Sequence, residues 1–199
     1  RVVLRTFEDR LAANLQEEGE FVVRGLRGAL NAMERRDTQL AAEVIAFDDD
    51  IDARYLAVEQ GIEALFALQA PVAGDLRRIV AMLHTNLHLE RIGDYCVTIA
   101  KMIRLTASLE GDPSLLATFG EMGQRAEEMV RVALDAFAAM DADRAESLSE
   151  MDELIDRINR RAVEHVMDLG TDADKREWGL RMLIISRSLE RIGDHAVDI

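Results

Sequence analysis

The chain has one cysteine, Cys96, two prolines, Pro71 and Pro113, and aromatic side chains at only 5% of its positions. One thiol cannot form an intramolecular disulfide, so a disulfide-stapled scaffold is excluded and a reducing compartment fits. So few prolines leave room for long, unbroken helices. No apolar run approaches the ~20 residues a membrane-spanning helix needs; the uncharged runs are short, such as Met182–Ile185. Arg1-Val2-Val3-Leu4-Arg5 holds no signal-peptide apolar region. Positive charge is scarce: 24 Lys and Arg stand against 38 Asp and Glu, for a net charge of −14. Nucleic acid needs a basic face, so it is excluded as an expected partner. Also missing are a Gly-rich phosphate loop, a Ser/His/Asp set and any nucleophile beside a base. The chain opens on Arg1 rather than Met and closes on Ile199 inside a helical pattern. Both ends are therefore expected to continue.

What is present is helix-forming: Ala, Leu, Glu, Arg and Met dominate, and 49% hydrophobic content suffices for a core. Phe7, Leu11, Leu15, Val22, Leu26, Leu30 and Met33 follow the i, i+3, i+4 rhythm of one buried helical face. The same reading predicts six helices, over about Phe7–Arg36, Thr38–Gln69, Val72–Ser108, Ser114–Met140, Ala142–Leu169 and Thr171 to the end. Asp37 and Asp141 are N-cap signals, and Gly170 has the character of a left-handed helix-ending residue. Long helices on short turns pack antiparallel. The expected fold is all-α.

Leu89-Glu90-Arg91-Ile92-Gly93-Asp94 returns unchanged as Leu189-Glu190-Arg191-Ile192-Gly193-Asp194, 100 positions later. A second stretch repeats at an offset of 104. There Ala29, Leu30, Ala32, Asp37, Ala41, Asp48, Ile51 and Asp52 meet identical residues at Ala133, Leu134, Ala136, Asp141, Ala145, Asp152, Ile155 and Asp156. The chain therefore reads as a tandem duplication of a three-helix unit, residues 1–111 and 112–199, divided at Gly111-Asp112-Pro113.

Each unit carries two acidic pairs spaced i, i+4, the spacing that stacks side chains on one helix face. Asp48/Asp52 and Glu90/Asp94 belong to the first, Asp152/Asp156 and Glu190/Asp194 to the second. On neighbouring antiparallel helices, four carboxylates converge. They cannot all stay ionised without arginine, protons or metal as compensation. All-oxygen donors suit Mg, Ca, Mn or Fe, and Zn less readily. The opposing reading is a solvated face with salt bridges to Arg77, Arg91 or Arg191. The di-iron signature Glu-x-x-His is absent, as is His-Glu-x-x-His. Gly93 and Gly193 lie beside the acidic stripe and would let a neighbouring helix approach. His84, His88, His165 and His195 read as surface or packing residues. Cys96 reads as core, the methionines as flexible filler, and Trp178 as an anchor near the start of the sixth helix.

Taken together, these residues resemble the PhoU family of phosphate-uptake regulators. The resemblance is carried by both Leu-Glu-Arg-Ile-Gly-Asp copies, by Ala67-Leu68-Gln69-Ala70-Pro71-Val72-Ala73-Gly74-Asp75-Leu76-Arg77, by Asp37…Ala41…Val44-Ile45…Asp48…Ile51-Asp52, and by Gly193-Asp194-His195-Ala196. It implies two similar three-helix bundles and multinuclear clusters of iron, zinc, manganese or magnesium. Carried over by position, the ligands would be Asp48, Asp52, Glu90 and Asp94, then Asp152, Asp156, Glu190 and Asp194. It further implies a cytoplasmic negative regulator, often a dimer, that links the phosphate ABC transporter ATPase to a membrane histidine kinase. Small domains of this kind also serve other transporters. Two rival functions stand beside it: a carboxylate-bridged metalloenzyme, such as a phosphatase or oxidase, and a plain helical scaffold. Where such proteins often have Asn four residues after the motif Asp, this chain has Thr98 and Asp198. Asp198 is expected to enlarge the second site.

Overall fold

The computed structural model describes residues 2–199, with side chains from Leu4 onward; Arg1 lies outside the described residues. Among the described residues six helices follow one another: α1 (Val2–Arg35), α2 (Thr38–Leu68), α3 (Ala73–Leu105), α4 (Pro113–Ala139), α5 (Ala142–Met167) and α6 (Ala173–Asp198). No helix among the described residues is long and apolar enough to cross a membrane.

The helix starts are written in aspartates. Asp37, Asp112, Asp141 and Asp172 stand in extended backbone and accept hydrogen bonds from the first free N–H groups of α2, α4, α5 and α6. Such a cap contributes about 1 kcal/mol. The duplication extends to the turns. Arg36 and Met140, equivalent at the 104 offset, adopt left-handed φ of 53° and 54°. The following Asp37 and Asp141 donate their N–H to Ala32 O and Ala136 O, both at 2.9 Å.

Two helix ends differ from expectation. α3 stops at Leu105 rather than Ser108. Thr106 Oγ1 donates back to Met102 O, and Arg36 from the α1–α2 turn donates to Thr106 O and Leu109 O. That side chain ties down the segment beyond the helix. α5 stops at Met167, with Asp168 as its cap. Gly170 takes φ +77° inside the α5–α6 turn instead of ending the helix directly.

α1, α2 and α3 pack on one another, as do α4, α5 and α6; the two groups meet through α1 against α4 and α3 against α6. The α1–α4 seam is reciprocal. A Cβ added at Gly19 would lie 2.6 Å from Leu134 Cδ2, and one added at Gly123 would collide with Leu30. Gly19/Gly123 and Leu30/Leu134 are equivalent pairs in the repeat, so the halves interlock about a pseudo-two-fold axis. As the α1 position rises from 19 to 30, its α4 partner falls from 134 to 123, so these helices run antiparallel. Buried residues from all six helices form one continuous core. Trp178 anchors the start of α6, 2% exposed and packed where Gly111 leaves room in the α3–α4 connection. Cys96 is buried in the core, which pushes its thiol up out of reach of ionisation.

Candidate functional site

The first site lies where α2 faces α3. Asp48 and Asp52 project from α2, Glu90 and Asp94 from α3. Burial and their mutual repulsion raise the proton affinity of two of them. Burial, then the charges of Asp52 and Asp94, lift Asp48 to about 6 from an ordinary 3.8. Burial raises Glu90 too, with Asp94, Asp52 and Asp48 adding to it and Arg91 opposing. The second site repeats this between α5 and α6. Burial, then Asp194, Asp156 and Glu190, lift Asp152 to about 6 from 3.8. All eight residues named from the sequence are therefore gathered into the two expected quartets.

Each quartet has a closed floor and an open edge. The floor is made by the glycines of the repeated motif. A Cβ on Gly93 would stand 3.5 Å from Asp48 Oδ1 and 3.2 Å from Ile51, and one on Gly193 would stand 2.8 Å from Asp152 Oδ1. Asp152 Oδ1 and Glu90 Oε2 are buried and accept no hydrogen bond. A buried, unpartnered carboxylate oxygen costs several kcal/mol unless it is neutralised. At the open edge stand Asp94 and Asp194, with side chains 53% and 34% exposed. Arginines from the same helices lean over them: Arg91 lies 3.6 Å from Glu90 and 3.8 Å from Asp94, and Arg191 lies 2.9 Å from Asp194. Arg187 pairs with Glu190, and Arg160 stands 4.0 Å from Asp156. These pairs offset charge at the rim; Arg91 Nε stands 3.6 Å from Glu90 Oε2, an ion pair without a hydrogen bond, and Asp152 Oδ1 has no hydrogen-bond partner. The quartets' donor chemistry, oxygen only, is the kind a hard cation takes, although among the described residues no three of these carboxylates bring oxygens within 4.8 Å of one another.

Gly193→Ala tests the floor. The new methyl group must displace Asp152 Oδ1, whereas Gly93→Ala meets ordinary spacing to Asp48 and a tight but smaller conflict with Ile51. The helix preference for alanine favours both variants alike, so Gly193→Ala is expected to be less stable than Gly93→Ala by about 1 kcal/mol in urea unfolding.

The chain compares closely with known proteins. The model of the PhoU domain family matches residues 15–103 and 119–199, one match in each half. This chain belongs to the PhoU family. The "phosphate-specific transport system accessory protein PhoU homolog" of Zymomonas mobilis is 32% identical, over 95% of this chain and 80% of that protein. A Pseudomonas aeruginosa protein of the same description is also 32% identical, over 94% of this chain and 78% of its own length. The crystal structure of PhoU from Pseudomonas aeruginosa superposes with a TM-score of 0.89 at 31% identity, over 96% of this chain and 92% of that one. The phosphate transport system regulatory protein PhoU from Streptococcus pneumoniae gives a TM-score of 0.88 at 26% identity, over 98% and 91%.

Within the PhoU fold, this chain's two quartets are not equivalent. Beneath the first, α1 supplies Glu18, 0% exposed, with neither carboxylate oxygen hydrogen-bonded. Burial, then the charge of Glu90, pushes it up to about 8. Its equivalent in the second half is Met122, beside Ser186. Asn86 donates to Tyr55 O at 3.2 Å, whereas at the equivalent positions Ser186 donates to Asn159 Oδ1 at 2.7 Å. Glu18 escapes a search for acidic pairs because it has no partner four residues away. Two signals point to it: Glu17-Glu18-Gly19 aligns with Glu121-Met122-Gly123, and position 18 falls on the apolar face between Leu15 and Val22.

Asp198 departs from expectation. It turns away from the second quartet, and its Oδ2 lies 3.8 Å from His88 Nδ1. The packing reading of the histidines holds for two of them. His88 and His195 form a pair across the α3–α6 seam, Nδ1 to Nδ1 at 3.0 Å, with Tyr95 against the His195 ring. A wheel drawn for one helix at a time hides a pair formed between two.

Proposed function

We propose that this chain is a metal-binding regulator of phosphate transport, a cytoplasmic adaptor rather than an enzyme. One observation carries the reading: two carboxylate quartets whose floor oxygens Glu90 Oε2 and Asp152 Oδ1 are buried without a hydrogen bond. Iron, zinc, manganese or magnesium ions in multinuclear clusters would be held by Asp48, Asp52, Glu90 and Asp94, joined by Glu18, and by Asp152, Asp156, Glu190 and Asp194. The ions supply the positive charge that cancels repulsion within each quartet. The open edge lets a partner's oxygen ligands complete the coordination. The proposed partners are the ATPase of the phosphate ABC transporter and a membrane sensor histidine kinase, with the chain restraining phosphate uptake and the starvation response. This draws on the relatives' description as phosphate-specific transport system accessory proteins.

A second copy of the chain is the proposed occupant of the exposed α3 row Leu76, Val80, Leu83 and Leu87. Its steps of four, three and four residues are those of a coiled-coil seam.

Two experiments test this function. Elemental analysis of the purified protein is expected to find metal that Glu90→Ala combined with Glu190→Ala loses; equal metal in both proteins rejects the quartets as its binding sites. Affinity capture from phosphate-replete cells is expected to bring down the transporter ATPase or the kinase. The carboxylate-bridged enzyme has no histidine within either quartet to support it. Phosphomonoester turnover that tracks metal occupancy would favour it.

A further inference from the structure

The His88–His195 pair is not part of either quartet, and its surroundings are those of a binding site. His88 comes from the middle of α3 and His195 from the last turn of α6. Their Nδ1 atoms face each other at 3.0 Å, and Asp198 Oδ2 stands 3.8 Å from His88 Nδ1. One ligand atom from each of the three residues falls within a span of 4.8 Å. The imidazoles are half-buried, and Tyr95 packs along the His195 ring, 5.8 Å between centroids. Both rings are thus oriented by packing between two long helices rather than by a loop.

We propose that His88, His195 and Asp198 form a separate site for a borderline divalent cation, zinc, that joins the two halves of the chain. Two imidazole nitrogens and one carboxylate oxygen are a zinc-type donor set, whereas the quartets offer only oxygen. At zinc–nitrogen distances of about 2.0–2.1 Å, tetrahedral coordination sets two nitrogens roughly 3.3 Å apart. The two rings need open by only a few tenths of an ångström. Asp198, with its side chain 57% exposed, is free to swing onto the ion. Three protein ligands leave the fourth position to water or to a partner's side chain.

The duplication restricts this site to one copy. At the offset of 100, the equivalents of His88 and His195 are Ser188 and Tyr95. The pseudo-two-fold axis therefore generates the site once per chain, while the carboxylate quartets occur twice. Zinc here binds α3 of the first half to α6 of the second, and its occupancy stiffens the joint between the bundles.

The test is a zinc titration of the full chain, read by the ring-nitrogen NMR signals of its histidines, with cobalt(II) as a second probe. The first equivalent of zinc is expected to shift two of the four histidines, those assigned to His88 and His195. Cobalt is expected to give the intense visible bands of a four-coordinate site, which octahedral all-oxygen quartets do not give. His88→Ala should abolish both signals. Asp198→Asn, a change at an exposed position, should weaken zinc binding by about tenfold or more without disturbing the fold. Glu90→Ala with Glu190→Ala should leave both signals in place, which separates this site from the quartets. Zinc that leaves every imidazole unshifted, or cobalt bands unchanged by Asp198→Asn and His88→Ala, overturns the proposal.

Discussion

Replacing Glu18 by methionine is expected to stabilise the metal-stripped protein by about 3 kcal/mol at pH 7 and to do far less at pH 4.5. The reason is linkage. Glu18 ionises near 4.5 in an unfolded chain but near 8 in this fold. Below the unfolded value both states are protonated, and the group costs nothing electrostatic. As pH rises toward 8, the unfolded chain ionises and the folded one resists, so stability falls across that window and is lowest above it. Each pKa unit of difference is about 1.4 kcal/mol. Glu18→Met removes the titration and restores the residue that the second half uses at Met122. Urea unfolding in chelator at the two pH values measures it. An equal gain at both would mean that ionisation of Glu18 is not what destabilises the native fold. Metal affinity is expected to move the other way, because the variant loses a carboxylate beneath Glu90. Under the proposed function, Glu18 is a stability cost kept for binding.

How much of this is legible in the sequence follows from how local each signal is. The helices, their aspartate caps and the quartets depend on spacing within one helix or on the repeat, and both are printed in the chain. Asp37 pairs with Asp141, and Glu90 with Glu190, by position in the repeat alone. Glu18 is half legible, as a charge interrupting an apolar face. The His88–His195 pair is not legible at all. It depends on how α3 crosses α6, which no pattern within a single helix encodes. Asp198 misleads for the same reason. Its place on the α6 stripe continues Glu190 and Asp194, but each step of four residues turns it about 40° further round the helix, toward the seam instead of toward α5.

The second large effect is a change of sign with metal. Asp48 and Asp152 are each lifted from 3.8 to about 6 by burial and the crowding of their quartets. In the stripped protein, the sign is that of Glu18: full stability below about 4, lost as pH climbs through 6. Both side chains are partly exposed, so solvent screening trims the loss to about 1 kcal/mol for each. Metal-loaded protein is expected to run the opposite way, because the same carboxylates must shed their protons to bind and each proton released raises affinity with pH. The melting temperatures of loaded and stripped protein should therefore nearly coincide near pH 4 and separate steadily up to pH 7. Asp48→Asn combined with Asp152→Asn should make the stripped curve shallower between pH 4 and 6, leaving the slope that Glu18 contributes there, and narrow the separation. Calorimetry with and without chelator checks both. Parallel curves across that range would show that protons and metal do not compete for the quartets. Glu18 keeps its own signature, since its loss of stability continues to pH 8, two units past the point where Asp48 and Asp152 have finished titrating.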